Sequence, residues 1–484
     1  MAQTALLASV IATGTASAQQ LFQPPGANLT LGDVTHGIRA LSASGNPAAA
    51  AADLAREGEA ARSGAVFSAQ VGLEYGNIDQ IWDYYDQVAQ AFAPSDPGED
   101  IGGPGQNPDD KPDDGIDLGQ IWDSLDPDVQ ARVDSVANAV VTQAAALSLI
   151  LTEGNGKAWV TADAPVVFRT ERLGGAWSMQ LHWSGTAHAF GLADAIEFDR
   201  DTARAAIEDW YNTDIANRPS LLRVGEQVRL LIDELGNVSL SLDNDSLLVA
   251  KAAQLTALSV GYGRDLWSGE SGTLYAGIDG HLYDMRLSRY GVRFGDITNS
   301  EELFDEIRNA EFEKDTRLAF DVGVLWVSNN YQVGAQLRSI NEPNFDFPAL
   351  STPVRNEDIQ RLIAEDSTYT MERQVRLEAS VFTRDRRWSF HAGGDANAAP
   401  DPVGDDFQWL TASVGFQSRN AWFPGFRVGY RQNLAGTEKS YLSLGATLFK
   451  YFNIDIASSV DTVEIDGTTL PEGFMGSIGF QFSW

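Results

Sequence analysis

The segment GSIGFQFSW, residues 476–484, carries the pattern from which the fold can be deduced. Ile478, Phe480, Phe482 and Trp484 alternate with small or polar residues, and Phe474 continues the same phase upstream. Side chains that repeat at every second residue share one face of a β-strand. Soluble proteins usually finish on frayed polar residues, so an aromatic strand at this position has to be explained by the rest of the chain.

Similar alternating segments recur upstream, among them WSMQLHW (177–183), LAFDVGVLW (318–326), YQVGAQLR (331–338) and VRLEASVF (375–382). A soluble sandwich would also alternate, but Arg, Glu, Gln and Asp recur on the polar face, as expected for a wet lumen. Aromatic residues cluster at strand ends like interface girdles. The pattern therefore predicts an all-β fold, a closed antiparallel transmembrane barrel whose last strand pairs with its first. A soluble β-rich periplasmic binding protein is the alternative.

Composition and charge restrict the compartment and the partners. The 484 residues include 67 acidic and 34 basic side chains, a net charge of -33, which argues against nucleic-acid binding. Residues 1–18 predict a signal peptide cut before Gln19, with an ordinary N-terminal helix as the alternative. Cysteine is absent and no apolar run downstream is long enough for a spanning helix. An exported chain of this kind is either periplasmic or an outer-membrane barrel.

Several segments between the strands are predicted to be insertions rather than membrane strands. Residues 77–154 are predicted to form a helical, acidic insertion that contains a Pro-, Gly- and Asp-rich linker at 95–117. The tetrapeptide QIWD occurs twice in this insertion, either as two equivalent Trp docking points or by coincidence. Shorter helical insertions are predicted near 198–235, 298–315 and 354–368. Long acidic excursions suit the extracellular loops of a barrel.

Motifs for catalysis or metal binding fail in this sequence. An EF-hand alignment of the linker puts Pro112 and Ile121 at ligand positions, and no pair of histidines has the spacing of a zinc site. His182 lies near Ser178 and Ser184 on the polar face of one strand, which we interpret as lumen lining rather than a hydrolase centre. We therefore expect a protein without catalytic residues, bound metal or cofactor.

Two short motifs resemble known outer-membrane proteins. Asn46-Pro47 followed by an Ala run predicts the entry to a short helix, and the step Asn46, Pro47, Ala48 before the first strand resembles the N-terminal plug of FadL-like proteins. The final strand resembles the C-terminal assembly signal of bacterial outer-membrane barrels. Its residues are Gly479, Phe480, Phe482 and Trp484.

Among FadL-like proteins, the plasmid conjugal-transfer TraF family is the most similar. The resemblance rests on GDVTHGIRALSASGNPAAA (32–50), on the acidic insertion and on YQVGAQLRSINEPNFDFP (331–348). It implies a plug at 19–63 and a barrel of about fourteen strands at 64–484.

The same resemblance implies what the protein does and where. We expect a monomer in the outer membrane of a Gram-negative bacterium, an envelope component linked to plasmid transfer. The alternative is a FadL-type passive transporter of hydrophobic small molecules. The expected partners are membrane lipid, the barrel-assembly machinery, and either an envelope protein or a hydrophobic ligand.

Overall fold

The computed structural model describes residues 26–36, 45–56, 63–76, 155–170, 174–192, 245–293, 300–350, 352–465 and 468–483, three short strands between 221 and 242, and the single residues 194, 209, 213 and 296. The predicted signal peptide, the insertion at 77–154 with both QIWD copies, and Trp484 lie outside the described residues.

The described chain forms a closed barrel of fourteen antiparallel strands. Along the chain the wall strands are β1 (Ser63–Gly76), β2 (Asn155–Thr170), β3 (Gly175–Leu192), β4 (Leu247–Gly269), β5 (Gly272–Arg293), β6 (Phe312–Val327), β7 (Tyr331–Arg338), β8 (Gln374–Phe382), β9 (Trp388–Asp395), β10 (Trp409–Phe416), β11 (Gly425–Asn433), β12 (Ser440–Leu448), β13 (Phe452–Ser459) and β14 (Gly473–Ser483). Each strand pairs with its neighbour in this series, so the wall runs up and down.

The seam of the barrel is the pairing of β1 with β14. Ala65 lies opposite Phe482 near one end of the seam, and Leu73 lies opposite Phe474 near the other. Closure leaves no wall strand with an unpaired edge, which backbone groups in lipid require. The predicted fold class and the pairing of the last strand with the first are confirmed.

Side chains alternate between a polar lumen and an apolar outer surface. On β8, Leu377 is 53% exposed whereas the neighbouring Arg376 is 4% exposed. Most of the other strands also expose large apolar side chains on this face, chiefly Leu, Val, Ile and Phe. A continuous apolar belt of this extent is not stable against water. The barrel therefore spans a membrane as an outer-membrane protein, and the soluble alternative is wrong.

The two ends of the barrel differ. The turns 270–271, 328–330, 383–387 and 449–451 lie at the end where β1 begins and β14 finishes, which we call the short-turn end. The opposite, long-loop end has much longer connections, among them 339–373 between β7 and β8. Outer-membrane barrels have short periplasmic turns and longer extracellular loops, which assigns the short-turn end to the periplasm.

Four helices accompany the wall in the described ranges. They are α1 (Asn28–Leu31), α2 (Ala49–Arg56), α3 (Ser300–Arg308) and α4 (Glu357–Glu365). Asn356 caps the N-terminus of α4, and its side chain accepts hydrogen bonds from the backbone amides of Asp358 and Ile359 in the first turn. None of these described helices is long and apolar enough to cross a membrane.

The insertions differ in part from the predicted helices. Helices α3 and α4 lie within the segments predicted near 298–315 and 354–368, although β6 already begins at Phe312. The prediction of a helix near 198–235 is wrong for its second half, which contributes to a three-stranded antiparallel sheet. Its strands are Leu221–Arg223, Val228–Ile232 and Val238–Leu242. Pairing with neighbouring strands outweighs the local helix preference of this segment.

Candidate functional site

Two segments of the N-terminal region, residues 26–36 and 45–56, lie inside the barrel, and together we call them the plug. Helix α1 packs against β10–β13, and helix α2 packs against β2–β6, so the two segments occupy opposite sides of the lumen. The four alanines that begin α2 are buried. Their small side chains let the helix lie close to the wall, and the plug lies within the lumen.

The Asn46-Pro47-Ala48 step lies on a row of three glycines. Gly263, Gly277 and Gly323 belong to β4, β5 and β6 and stand directly opposite one another across these strands. A Cβ atom at Gly263 would lie 2.8 Å from the carbonyl oxygen of Pro47, and side chains at the other two would overlap Asn46 or Pro47. The glycine row therefore lets the plug backbone touch the wall directly.

Glu378 on β8 connects both plug segments. Its carboxylate accepts hydrogen bonds from the Thr35 hydroxyl at 2.9 Å and from the Asn46 side-chain amide at 2.7 Å, and also from the Thr35 backbone N–H. The Asn46 side-chain oxygen in turn accepts the Ala48 N–H at 3.0 Å, which fixes the turn into α2. Gly334, directly opposite on β7, leaves room for the glutamate. One carboxylate therefore fixes the position of two separate segments.

A buried ion-pair network binds the first plug segment to the wall. The Asp33 carboxylate pairs with Arg338 on β7, and lies 3.7 Å from Nε of Arg376 on β8. Arg376 also donates to the Asp33 backbone oxygen at 2.6 Å and pairs with Asp395 at 2.8 Å. Removing one partner of a buried ion pair costs about 3–5 kcal/mol of stability. The network therefore holds the plug strongly in one position.

The backbone of the plug is hydrogen-bonded by wall side chains. Arg431 on β11 donates to the carbonyl oxygens of Asn28 and Leu29 at 3.0 and 2.7 Å. Ser413 donates to the carbonyl oxygen of Leu31 at 3.0 Å. A buried segment with little regular structure needs such partners for its polar groups, and the polar lumen wall supplies them.

His36 closes the first plug segment as a buried imidazole. Its Nε2 lies 3.1 Å from the side-chain oxygen of Asn28, and its ring meets that of His391 edge-on at 6.4 Å. Burial lowers the pKa of His36 well below 6.5, and the charges of His391, Arg427 and Arg56 lower it further. The docked plug therefore contains a neutral His36 at neutral pH.

A second layer lies in the lumen nearer the long-loop end. The short strands Asn344–Asp346 and Thr368–Thr370 pair, and the rings of Phe345 and Tyr369 stack at 6.1 Å. They pack among apolar side chains from β4, β5 and β6, and we call this cluster the apolar cap. Its members are Ala253, Leu255, Ala257, Tyr283, Met285, Leu287, Ala319, Phe345, Phe347, Tyr369, Met371 and Val403.

Comparison with known proteins identifies the family. The family described as "F plasmid transfer operon, TraF, protein" matches residues 43–395. The chain belongs to this family. The match extends from the Asn46-Pro47-Ala48 step through β9 and includes Glu378 and Arg376. The predicted relationship to the TraF family is confirmed.

Other comparisons are more distant. No curated protein matches this TraF-family chain. Among solved structures, the toluene transporter TbuX of Ralstonia pickettii is 11% identical, with 96% of this chain and 98% of that chain covered and a TM-score of 0.37. The toluene transporter TodX of Pseudomonas putida is 9% identical, with 96% and 98% covered and the same TM-score of 0.37.

In this TraF-family barrel the residues predicted for the assembly strand lie on both faces of β14. Gly479 faces the lumen, where a Cβ atom would lie 3.2 Å from the Cα of Gly26 in the plug. Phe480 faces outward and contacts the ring of Phe482 at 5.8 Å. Trp484, the fourth residue of the predicted signal, lies outside the described chain.

The polar row around His182 is part of the lumen wall. His182 Nδ1 lies 3.6 Å from the Asp163 carboxylate, which also accepts a hydrogen bond from the Gln180 side chain at 2.6 Å. Ser178 is 3.5 Å from Asp279 on another strand, and Ser184 is fully buried. Within the described ranges, no group of three or more His, Asp or Glu side chains is placed to hold a metal ion.

Proposed function

We propose that this protein is a plugged outer-membrane component of the Gram-negative cell envelope that acts in plasmid transfer through contacts with other envelope proteins. The observation that carries the proposal is the plug, which is bonded to the wall inside the barrel. The plug and the apolar cap occupy two levels of the same barrel, and the plug is bonded to the wall by buried charges. A barrel that holds two bonded layers in its lumen is suited to presenting surfaces rather than to passing solutes.

The acidic insertion is the surface that we assign to partner binding. Residues 77–154 carry sixteen Asp or Glu but only two Lys or Arg. The insertion leaves the wall at Gly76 and returns at Asn155, both at the long-loop end. Complementary charge steers association between proteins, so the proposed partner is an envelope protein with a basic surface.

Export and assembly belong to the same proposal. Residues 1–18 would direct export, and Gly479, Phe480, Phe482 and Trp484 would be recognised by the barrel-assembly machinery. The protein would work as a monomer without catalytic residues or cofactor. Fractionation of membranes, with gel mobility compared before and after boiling, tests the location. A soluble periplasmic protein that shows no heat-dependent shift would contradict it.

The test of function is plasmid transfer from a strain that lacks the gene. Complementation with the full chain should restore transfer, whereas a chain without 95–117 should assemble normally and restore it poorly. A chain of equal length in which 95–117 is replaced by a neutral Gly/Ser linker separates charge from length. Full transfer in the strain that lacks the gene would refute the proposal.

The second candidate function is passive transport of hydrophobic small molecules. The apolar cap favours it, because ligand pockets are mostly apolar and this cluster lies within the lumen. Transport would require both the cap and the plug to move. Uptake of a labelled hydrocarbon should then fall in the strain that lacks the gene while plasmid transfer stays normal, which is the opposite of the first candidate's result.

A further inference from the structure

A cavity of about 340 Å³ lies below the plug at the short-turn end. Leu31, His36 and Arg56 of the plug form one side, and the turns after β8 and β12 supply Arg386 and Lys450 on the other. The cavity is within the size range of small-molecule sites. It lies on the periplasmic side of the plug, separate from both the apolar cap and the acidic insertion.

The cavity is cationic although the protein is strongly acidic. Arg56, Arg386, Arg427 and Lys450 line it, and none of the described lining residues is acidic. Arg427 is neutralised by Asp455 at 2.7 Å, and Arg56 is paired with Asp53 at 3.0 Å. Within the described residues, Arg386 and Lys450 form no salt bridge. The lining therefore has positive charge that the wall does not neutralise.

Two guanidinium groups share one aromatic ring in this cavity. Arg56 and Arg386 lie 6.0 and 5.6 Å from the centre of the Phe382 ring. Nε of Arg56 is buried without a hydrogen-bond partner. Burial and the charge of Arg56 lower the pKa of Arg386 from its ordinary value. Two positive guanidinium groups held close together, one with an unused N–H donor, are stabilised when an anion binds between them.

We propose that this cavity binds a phosphate group, carried by a molecule whose apolar part packs against Phe382 and Phe416. Guanidinium groups donate two parallel hydrogen bonds to phosphate oxygens, and Lys450 adds a third positive charge. The two phenyl rings line the same cavity and provide the apolar contact. The bound anion would bridge the last residue of α2 to the turn after β8, and so join plug to wall.

Two sources could supply this chemistry, the headgroup of an anionic phospholipid in the adjacent leaflet or a soluble organic phosphate. The site does not depend on the proposed role in plasmid transfer, because its test measures binding to the purified protein. Phenyl phosphate serves as the soluble probe, followed by isothermal titration calorimetry in phosphate-free detergent buffer. Phosphatidylglycerol serves as the lipid probe, followed by native mass spectrometry, and zwitterionic phosphatidylcholine serves as the comparison without net charge.

The test variant combines Arg386→Asn with Lys450→Asn. Both positions have positive φ, 53° and 70°, which Asn tolerates better than most residues. The control variant combines Arg361→Gln with Arg373→Gln, which removes the same charge from exposed sites near the long-loop end. A heat-dependent gel shift must be retained by both variants, which shows that their barrels are closed.

The expected result is at least a tenfold weaker binding of a probe to the test variant and unchanged binding to the control. If the test variant weakens binding of phosphatidylglycerol alone, the lipid headgroup is the source of the phosphate. If the test variant weakens binding of phenyl phosphate, the site is open to soluble phosphates, whether or not lipid binding is weakened too. The proposal is overturned if neither probe binds the wild-type protein, or if binding is equal in the wild-type and test proteins.

Discussion

Replacing Asp33 with alanine should release the first plug segment from the wall. The carboxylate pairs with Arg338, and these two side chains are only 4% and 3% exposed. Arg376 keeps its pair with Asp395, so the lower end of the range for a broken buried pair applies, about 3 kcal/mol. Since about 1.4 kcal/mol is a factor of ten, the ratio of undocked to docked plug should rise roughly a hundredfold.

Hydrogen exchange of the folded barrel in detergent measures this ratio directly. Backbone amides in 26–36 should exchange roughly a hundred times faster in D33A, while amides of β1 and β14 keep their wild-type rates. The control is Asp284→Ala, which breaks a pair with Lys314 whose side chains are 35% and 53% exposed and which is worth at most about 1 kcal/mol. Wild-type exchange of 26–36 in D33A would refute the assigned role of the buried pair.

Three further perturbations test other parts of the plug and cap. Gly277→Ala should weaken docking of 45–56 by about 1–3 kcal/mol, because its side chain would overlap Pro47. Gly476→Ala is the control, since Gly476 has open space around it. The expected signal is faster hydrogen exchange of the backbone amides in 45–56 in G277A alone. The lowered pKa of His36 means that the docked plug binds fewer protons than the released plug. Docking should therefore be complete above about pH 6.5 and weaken as the pH falls below it, and exchange that is independent of pH in the wild type, or unchanged in H36Q, would contradict this. Phe345→Ala should destabilise the apolar cap by about 3–5 kcal/mol because the ring is fully buried, which limited proteolysis of 339–373 measures against the exposed control Leu362→Ala.

The strands could be predicted from the sequence because successive residues of a barrel strand face lipid and lumen in turn, so apolar and polar residues alternate. The segment YQVGAQLR coincides with β7, and VRLEASVF covers all but the first residue of β8. The insertions were less predictable. The second half of 198–235 forms strands in a sheet outside the wall, where pairing with neighbouring strands outweighs local helix preference.

The contacts that fix the plug could not be predicted in the same way. Arg338 and Arg376 were visible as charged residues on a lumen face, but their partner Asp33 is 305 and 343 residues away along the chain. The glycine row is even less visible, because Gly263, Gly277 and Gly323 become neighbours only through strand register. The Asn46-Pro47-Ala48 step resembles the plug of FadL-like proteins, yet nothing local indicates which wall residues receive it.

The seam between β1 and β14 has a consequence for how the molecule is made. Gly64 pairs with Ser483, so this pairing requires nearly the whole chain and the largest loop-closure cost in the wall. Strands β2, β7, β8, β10 and β11, which hydrogen-bond the plug, all precede β14 along the chain, and β14 adds a bond when the Gly26 N–H donates to Ser477 at 2.6 Å. The plug can therefore settle on a sheet that is still open, while water can still leave from between the charged surfaces. Pairing of β1 with β14 then encloses a lumen that already contains the plug. No polar segment therefore has to enter a closed barrel.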